Sequence, residues 1–266
     1  MSNKNSNYTQ KHYDELLNEL TKNYPEQQIP VPSEIIKKIK VLEAYTLDKN
    51  RFFCLFSQAS FFPIYISKNV KDISGYTAHE IHQKGLLTVL KMLHWKHLPM
   101  AIKVHRWGSR FQQIVGNEVP LIGREVFFCG FKAKTKAGIL KTFFAKQKIL
   151  TAKNYKPILS FLEIEDITPL FKADFVWGRL TAQHEDQFHV RVFFQVGKKT
   201  EYEDLLSARE LEILKLAMKQ KSNIEISELL EISKNTVERH RKNMIARVGV
   251  TDMTALIYIC KLCKLI

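Results

Sequence analysis

The sequence predicts an α+β chain, in which an antiparallel sheet with helices is followed by an all-α unit of four helices. Two observations carry that expectation. Residues 51–168 hold five aromatic and β-branched runs of strand type, separated by turn residues. The stretch from Leu206 to Val250 then spells out three successive helix starts, the last of which opens a strongly basic helix. A length of 266 residues with 45% hydrophobic content suits two domains, each with its own core.

Residues 1–50 read as a helical leader. The first thirty are rich in Asn, Gln and Lys, carry a weak helical pattern at Tyr13, Leu16, Leu17 and Leu20, and end at Pro30 and Pro32. Ser33 caps a second helix over 33–46, whose apolar face is Ile35, Ile36, Ile39 and Leu42. Residues 51–170 form the sheet unit. Its strands are expected at Phe52–Phe56 and Phe62–Ser67, then at Glu125–Lys134, Ile139–Leu150 and Ile158–Ile164. Between the two groups, Thr77 and Glu80 make a capping box directly after Gly75, and a longer helical segment runs from Trp95 to Gln113. The physical consequence is a curved sheet covered by helices on one face. Residues 171–204 add a hairpin from Phe175–Leu180 and the alternating run Phe188, Val190, Val192, Phe194 and Val196, with Gly197–Asp204 as the linker.

Residues 205–266 form the last unit. Ser207 with Glu210 and Ser222 with Glu225 are capping boxes, and Ser233 caps a third helix, giving segments 208–220, 223–230 and 234–248. At about 100° per residue, Val237, Met244 and Val248 form the buried stripe of the third helix. Asn235, Arg239, Lys242, Asn243 and Ala246 point the other way. Lys234, Arg239, Arg241, Lys242 and Arg247 stand against the single acid Glu238 on this helix, and Arg, Lys and Asn suit base edges and phosphates. A short helix, a turn at Glu231–Ser233 and a basic second helix make a helix-turn-helix. A fourth helix from Asp252 carries Met253, Leu256, Ile257, Cys260 and Cys263 on one wide apolar face.

This last unit resembles the LuxR/GerE-type helix-turn-helix. The resemblance rests on Leu206, Ser207, Arg209, Glu210, Ser222, Asn223, Glu225, Ile226, Ile232, Ser233, Thr236, Val237, His240, Asn243, Arg247 and Val250 at the family's spacing. It covers about sixty residues. It implies binding of double-stranded DNA, with Glu238, Arg239 and Lys242 reading bases and Lys234, Thr236, Asn243 and Arg247 contacting phosphate. It also implies a homodimer through Met253, Leu256, Ile257 and Cys260, on an operator of two half-sites about one turn apart. Two residues depart from the pattern. Gln220 stands where the family usually has glycine, and Glu238 where lysine is frequent; a carboxylate there repels phosphate but can accept from a cytosine amine.

The order of elements in 51–170 resembles a PAS domain, as do Tyr65-x-Ser67-x-Asn69, Gly75-Tyr76-Thr77 with Glu80, and the closing Asp166-Ile167-Thr168. The PAS resemblance implies a sensor that encloses a small ligand or pairs with a partner. No cofactor is identified. A flavin photoreceptor of this fold needs a reactive cysteine where the nearest string has Ser109, and haem would have only His94, His97 or His105 as axial candidates. Neither haem nor flavin is expected. His79 and His82 beside Glu80 lack further metal ligands at telling spacing, so no metal site is expected either.

Lys plus Arg of 41 against Asp plus Glu of 27 gives a net charge of +14, which suits nucleic acid. Lys132, Lys134, Lys136, Lys141, Lys146 and Lys148 cluster on one hairpin, as a solvated sheet edge or a second phosphate contact. No apolar run spans a bilayer and the first residues lack a signal peptide's apolar core, so the expected location is the cytoplasm. Cys54, Cys129, Cys260 and Cys263 show no disulfide framework. No phosphate loop, G-x-S-x-G or H-E-x-x-H is present, so no catalytic residue is assigned. The expected function is one-component transcription regulation, in which a PAS-like domain biases a dimeric helix-turn-helix. Beyond DNA and a second copy, a small-molecule ligand and RNA polymerase are the candidate partners, with no membrane. The alternative is a PAS-based interaction module that binds nucleic acid through charge alone.

Overall fold

The computed structural model describes residues 33–45, 50–57, 62–84, 92–93, 122–153, 156–184, 187–195, 201–202 and 205–266. The leader pattern before Ser33 and the helix expected from Trp95 to Gln113 lie outside the described residues. The rest is α+β. Helix α1 (Ser33–Tyr45) precedes strands β1 (Arg51–Ser57) and β2 (Phe62–Ile66), then the short helices α2 (Val70–Ser74) and α3 (Ala78–Lys84). Strands β3 (Glu125–Lys134), β4 (Leu140–Lys153), β5 (Lys156–Asp166), β6 (Trp177–His184), β7 (Gln187–Gln195) and β8 (Glu201–Tyr202) follow. Helices α4 (Ala208–Met218), α5 (Asn223–Leu229), α6 (Lys234–Val248) and α7 (Met253–Leu262) close the chain. The strands form one sheet in the order β2-β1-β5-β4-β3-β6-β7-β8, antiparallel throughout.

Short polar motifs hold the joints of this sheet. Ser67 Oγ accepts from the Phe53 amide at 2.8 Å and donates to Asn69 Oδ1 at 2.6 Å, while the Asn69 amide donates to the Arg51 carbonyl. That pins β1 to the turn that opens α2. Gly75 ends α2 at φ 77°, a left-handed conformation that glycine adopts at no steric cost. Thr77 and Glu80 then make the expected capping box, with the Thr77 amide donating to Glu80 at 2.8 Å and the Glu80 amide donating to Thr77 Oγ1 at 3.1 Å. Asp166 Oδ1 accepts from the Thr168 amide at 3.0 Å, and Thr168 Oγ1 accepts from the Thr142 amide at 2.9 Å, so β5 is terminated and tied to β4 in one step.

The sheet is covered on both faces, which corrects the expectation of helices on one. Residues two apart in a strand share a face, and paired residues across strands share it too. One face presents Phe52, Phe131, Phe143 and Ile164, and there α2 contributes Ile73. The opposite face presents Phe53 and Leu55 to Ile39 of α1 at one end. At its other end it presents Phe127, Cys129, Phe144 and Trp177 to the C-terminal helices. A bulge between Cys129 and Phe131 switches the parity of β3, so that the first half of the strand faces the C-terminal helices and the second half faces α2. The C-terminal unit therefore supplies the cover that periodicity within the sheet could not reveal.

Candidate nucleic-acid interface

Each C-terminal helix begins where its cap residues place it. Ser207 Oγ accepts from the Glu210 amide at 3.3 Å and Glu210 returns the bond to the Ser207 amide at 2.9 Å. Ser222 and Glu225 repeat this at 3.2 and 2.8 Å. Ser233 caps α6 through the Thr236 amide at 3.1 Å, and Asp252 caps α7 through the Ala255 amide at 2.9 Å. Bonds from the Lys221 side chain and the Ser222 cap hold the Glu225 carboxyl down at about 2.

The helix ends are equally specified. After α4 the chain turns at Gln220, φ 61°, with the Gln220 amide on the Ala217 carbonyl and the Lys221 amide on the Leu216 carbonyl. This is a Schellman turn whose left-handed position is the one that favours glycine, which explains the departure at Gln220 in physical terms. Glu231, φ 51°, ends α5 in the same way, and Gly249, φ 85°, ends α6. The turn through Glu231–Ser233 thereby swings α6 across α5.

Val237, Met244 and Val248 of α6 are fully buried, as is Ile226 of α5, and they lock the two helices together. The opposite side of α6 is open: Lys234, Asn235, Arg239, Lys242, Asn243 and Ala246 are exposed. Among the described residues, no carboxylate lies within ion-pair distance of Arg239 or Lys242. Glu238 is half-buried beside them. Its Oε1 lies 3.8 Å from Lys234 Nζ and accepts from Asn223 Nδ2 at 3.5 Å, while Arg241 donates to the Asn223 oxygen. An α5 amide and an α6 guanidinium thus steer the Glu238 carboxylate along the edge of the open face. Thr236 is half-buried, its hydroxyl 2.8 Å from that of Ser233. Arg247 is engaged internally: its Nη1 donates to the buried Glu210 carboxylate at 2.5 Å and to the Leu205 carbonyl at 3.4 Å, joining the C-terminus of α6 to the N-terminus of α4.

The four residues expected at a dimer seam lie within the chain's own core. Leu256 and Cys260 are fully buried, and Met253 and Ile257 are partly buried against the same apolar cluster. That cluster is continuous from Ile213, Val237 and Met244 through α7 to Phe127, Cys129, Phe144 and Trp177 of the sheet. Burial pushes up the thiols of Cys54, to about 12, and of Cys129 and Cys260, against nucleophilic use. Among the described residues no group of three or more His, Cys, Asp and Glu could hold a metal ion.

Sequence reasoning did not find the contacts between sheet and helices. Trp177 Nε1 donates to the Val248 carbonyl at 2.9 Å, and the buried Arg179 donates to the Cys263 carbonyl. Tyr258 donates to Glu165, which Arg51 holds at 2.8 Å, and Lys264 meets Glu125 at 2.5 Å. A usable signal was an arginine two residues after a tryptophan, at the same-face position of a strand.

Two helices locked at a tight turn, with the second presenting an open cationic and amide-rich face, define a helix-turn-helix domain. Residues 204–260 match the family described as bacterial regulatory proteins, luxR family. The C-terminal domain is a LuxR-type helix-turn-helix. It is 44% identical over 54 residues to the transcriptional regulatory protein MctR of Rhizobium johnstonii, a match that spans 20% of this chain and 25% of that relative. Looser likenesses run over most of the chain. The crystal structure of the phage VqmA–DPO complex covers 86% of it, with 88% of that chain matched, at 11% identity and a TM-score of 0.30. The Vibrio cholerae VqmA dimer in the absence of target DNA covers 85%, with 86% of that chain matched, at 13% identity and a TM-score of 0.29. No helix among the described residues is long and apolar enough to cross a membrane.

Proposed function

We propose that this protein is a sequence-specific, DNA-binding transcription regulator of the one-component kind, in which the sheet domain receives the signal and the helix-turn-helix delivers it. The open face of α6 carries the reading: Arg239 and Lys242 stand exposed on a helix whose other side is fixed in the core. In this reading α6 enters the major groove. Arg239 and Lys242 donate to base acceptors and Glu238, oriented by Asn223, accepts from a cytosine amine. Lys234, Thr236 and Asn243 contact phosphate, and Arg247 adds positive potential from a guanidinium anchored on Glu210. The working form on DNA is a homodimer that uses α7, with Met253, Leu256, Ile257 and Cys260 in its seam. A small molecule or a protein partner acts on the PAS-like sheet domain, and RNA polymerase is the downstream partner.

The charge-driven alternative draws on the basic hairpin of β3 and β4, whose lysines are largely spoken for. Lys132 pairs with Asp174, Lys136 with Glu80, Lys141 with Asp166 and Lys146 with Glu125. The test is Arg239→Ala on a duplex selected by the wild-type protein from a random pool. Loss of one base contact should cost about 1–3 kcal/mol and relax preference at one base pair. Undiminished discrimination against mismatched duplexes would remove the base-reading assignment.

A further inference from the structure

The cations of α6 do not share one environment. Arg239 and Lys242 lie on the open face, whereas Arg241 is half-buried. Helical spacing explains the difference: position 241 follows Val237 by four residues and precedes Met244 by three, so it lies over the inward stripe that those two buried residues occupy. Its guanidinium reaches across to α5 and donates to the Asn223 oxygen. Its Nε is buried without a hydrogen-bond partner among the described residues. A guanidinium turned inward in this way, with one N–H left unpaired, is poorly placed to meet phosphate.

The bond to Arg241 fixes what Asn223 does on its other side. A guanidinium only donates, so the Asn223 oxygen must face Arg241 and the amide NH2 must face away from it. That NH2 lies 3.5 Å from Glu238 Oε1, and Lys234 Nζ stands 3.8 Å from the same oxygen. Both contacts are long, and a lysine placed four residues before a glutamate is the weaker orientation of such a pair. Arg241 and Glu238 are therefore opposite charges bridged by an amide, which turns the carboxylate without occupying it. Among the described residues Glu238 Oε2 accepts from no donor, and the side chain is 38% exposed.

An acceptor-only group suits few base edges. In the major groove cytosine offers its N4 amine alone, and adenine offers its N6 amine beside the N7 acceptor. Guanine and thymine present acceptors, which a carboxylate repels. We propose that Arg241, acting through Asn223, is a specificity-determining positioning residue that turns Glu238 toward a cytosine amine while itself touching no DNA. The inference rests on the DNA-binding reading above and deepens it, because one cation of the basic helix then sets sequence preference and not affinity. Without the bridge Glu238 swings toward Lys234, and one position of the half-site loses its preference while the others keep theirs.

The experiment selects duplexes from a random pool with full-length wild type, Glu238→Ala, Asn223→Asp and Arg241→Met, and follows urea unfolding of each. Wild type should prefer a C·G pair at one position by about five-fold or more, and Glu238→Ala should abolish that preference and so identify the position. Asn223→Asp keeps an acceptor for Arg241 and adds an acid in the first turn of α5, where the helix dipole favours it, but it repels Glu238. Preference at the identified position should fall to within about two-fold, with the other positions unchanged and the urea midpoint not below that of wild type. Arg241→Met should relax the same position, and Asn223→Asp added to Glu238→Ala should change nothing further there. A cytosine preference that Glu238→Ala removes and Asn223→Asp retains overturns the relay and leaves the DNA-binding reading standing. Equal weakening of every duplex by Arg241→Met also overturns it, since Arg241 would then be a phosphate contact. Should Arg241→Met fail to fold, Asn223→Asp decides alone. A wild-type protein with no preferred position overturns the reading and the relay together.

Discussion

Replacing Glu210 by Ala should cost the protein about 2–3 kcal/mol, and the structure gives the reason in two parts. The side chain is 4% exposed and accepts from the Ser207 amide at 2.9 Å, so its removal leaves one orphan N–H of α4 without its partner, at about 1 kcal/mol. The same carboxylate holds Arg247 at 2.5 Å. Breaking a fully buried pair costs about 3–5 kcal/mol, but the Arg247 side chain is 34% exposed and can rehydrate, which brings this part to about 1–2 kcal/mol. Urea unfolding measures the sum: at a slope of about 2 kcal/mol per molar, the midpoint should fall by about 1 M. Glu210→Gln preserves an acceptor for Ser207 and removes the charge, so it should recover the first part only. In a double-mutant cycle with Arg247→Met, the coupling should be about 1 kcal/mol or more. A coupling below about 0.3 kcal/mol would show that the pair does not join α4 to α6 and would refute the reasoning. On DNA, Arg247→Met should lower stability and affinity together, whereas Lys234→Ala should lower affinity alone.

Two further predictions follow from conformation and from ionisation. Gln220→Gly should raise stability by about 0.5–1 kcal/mol in urea unfolding, because a left-handed position strains a β-carbon and not a glycine; a loss would mean that the glutamine side chain earns its place. Burial, chiefly, and the Glu165 carboxylate hold the Tyr258 phenol up at about 12. A folded pKa above the unfolded one favours folding below pH 10, and that contribution is lost as pH rises through about 12. An alkaline titration of phenolate absorbance should therefore show a late step that disappears in Tyr258→Phe; an unaltered titration would show that Tyr258 is not held against Glu165.

Local signals were legible wherever chemistry and position coincide. The capping pairs at Thr77, Ser207 and Ser222 form as spelled, because a serine or threonine followed three residues on by glutamate satisfies two orphan donors without help from distant residues. The five strands of residues 51–168 are legible as aromatic and β-branched runs between turn residues, while β6 overlaps the expected Phe175–Leu180 segment and β7 the alternating run from Phe188. What the sequence could not show was who covers whom. Phe127 and Cys129 alternate in the same way whether their face meets a ligand, an N-terminal helix or the helix-turn-helix. The bulge at Gly130 reverses the facing of β3 midway, and a single glycine in a strand does not announce which residues change sides. The apolar width of α7 was visible, but its use was not, because an apolar flank does not name its partner.

The electrostatic pattern argues for the same division of labour as the packing. The chain carries +14, yet on the sheet domain Lys132, Lys136, Lys141 and Lys146 each stand against a carboxylate. Within the sheet Arg51 serves Glu163 and Glu165, and between the sheet and the C-terminal residues Lys264 serves Glu125. Positive charge is thus matched where the molecule touches itself. On α6, Arg239 and Lys242 are exposed with no carboxylate of the described residues in reach, and the one acid of the helix is drawn aside by Asn223. Unmatched cations persist on a folded surface at little cost because water solvates them. On α6 they stand on the outward stripe of a helix whose inward stripe, Val237, Met244 and Val248, is buried. The exposed cations Arg239 and Lys242 stand where a polyanion laid along that outward stripe would meet them.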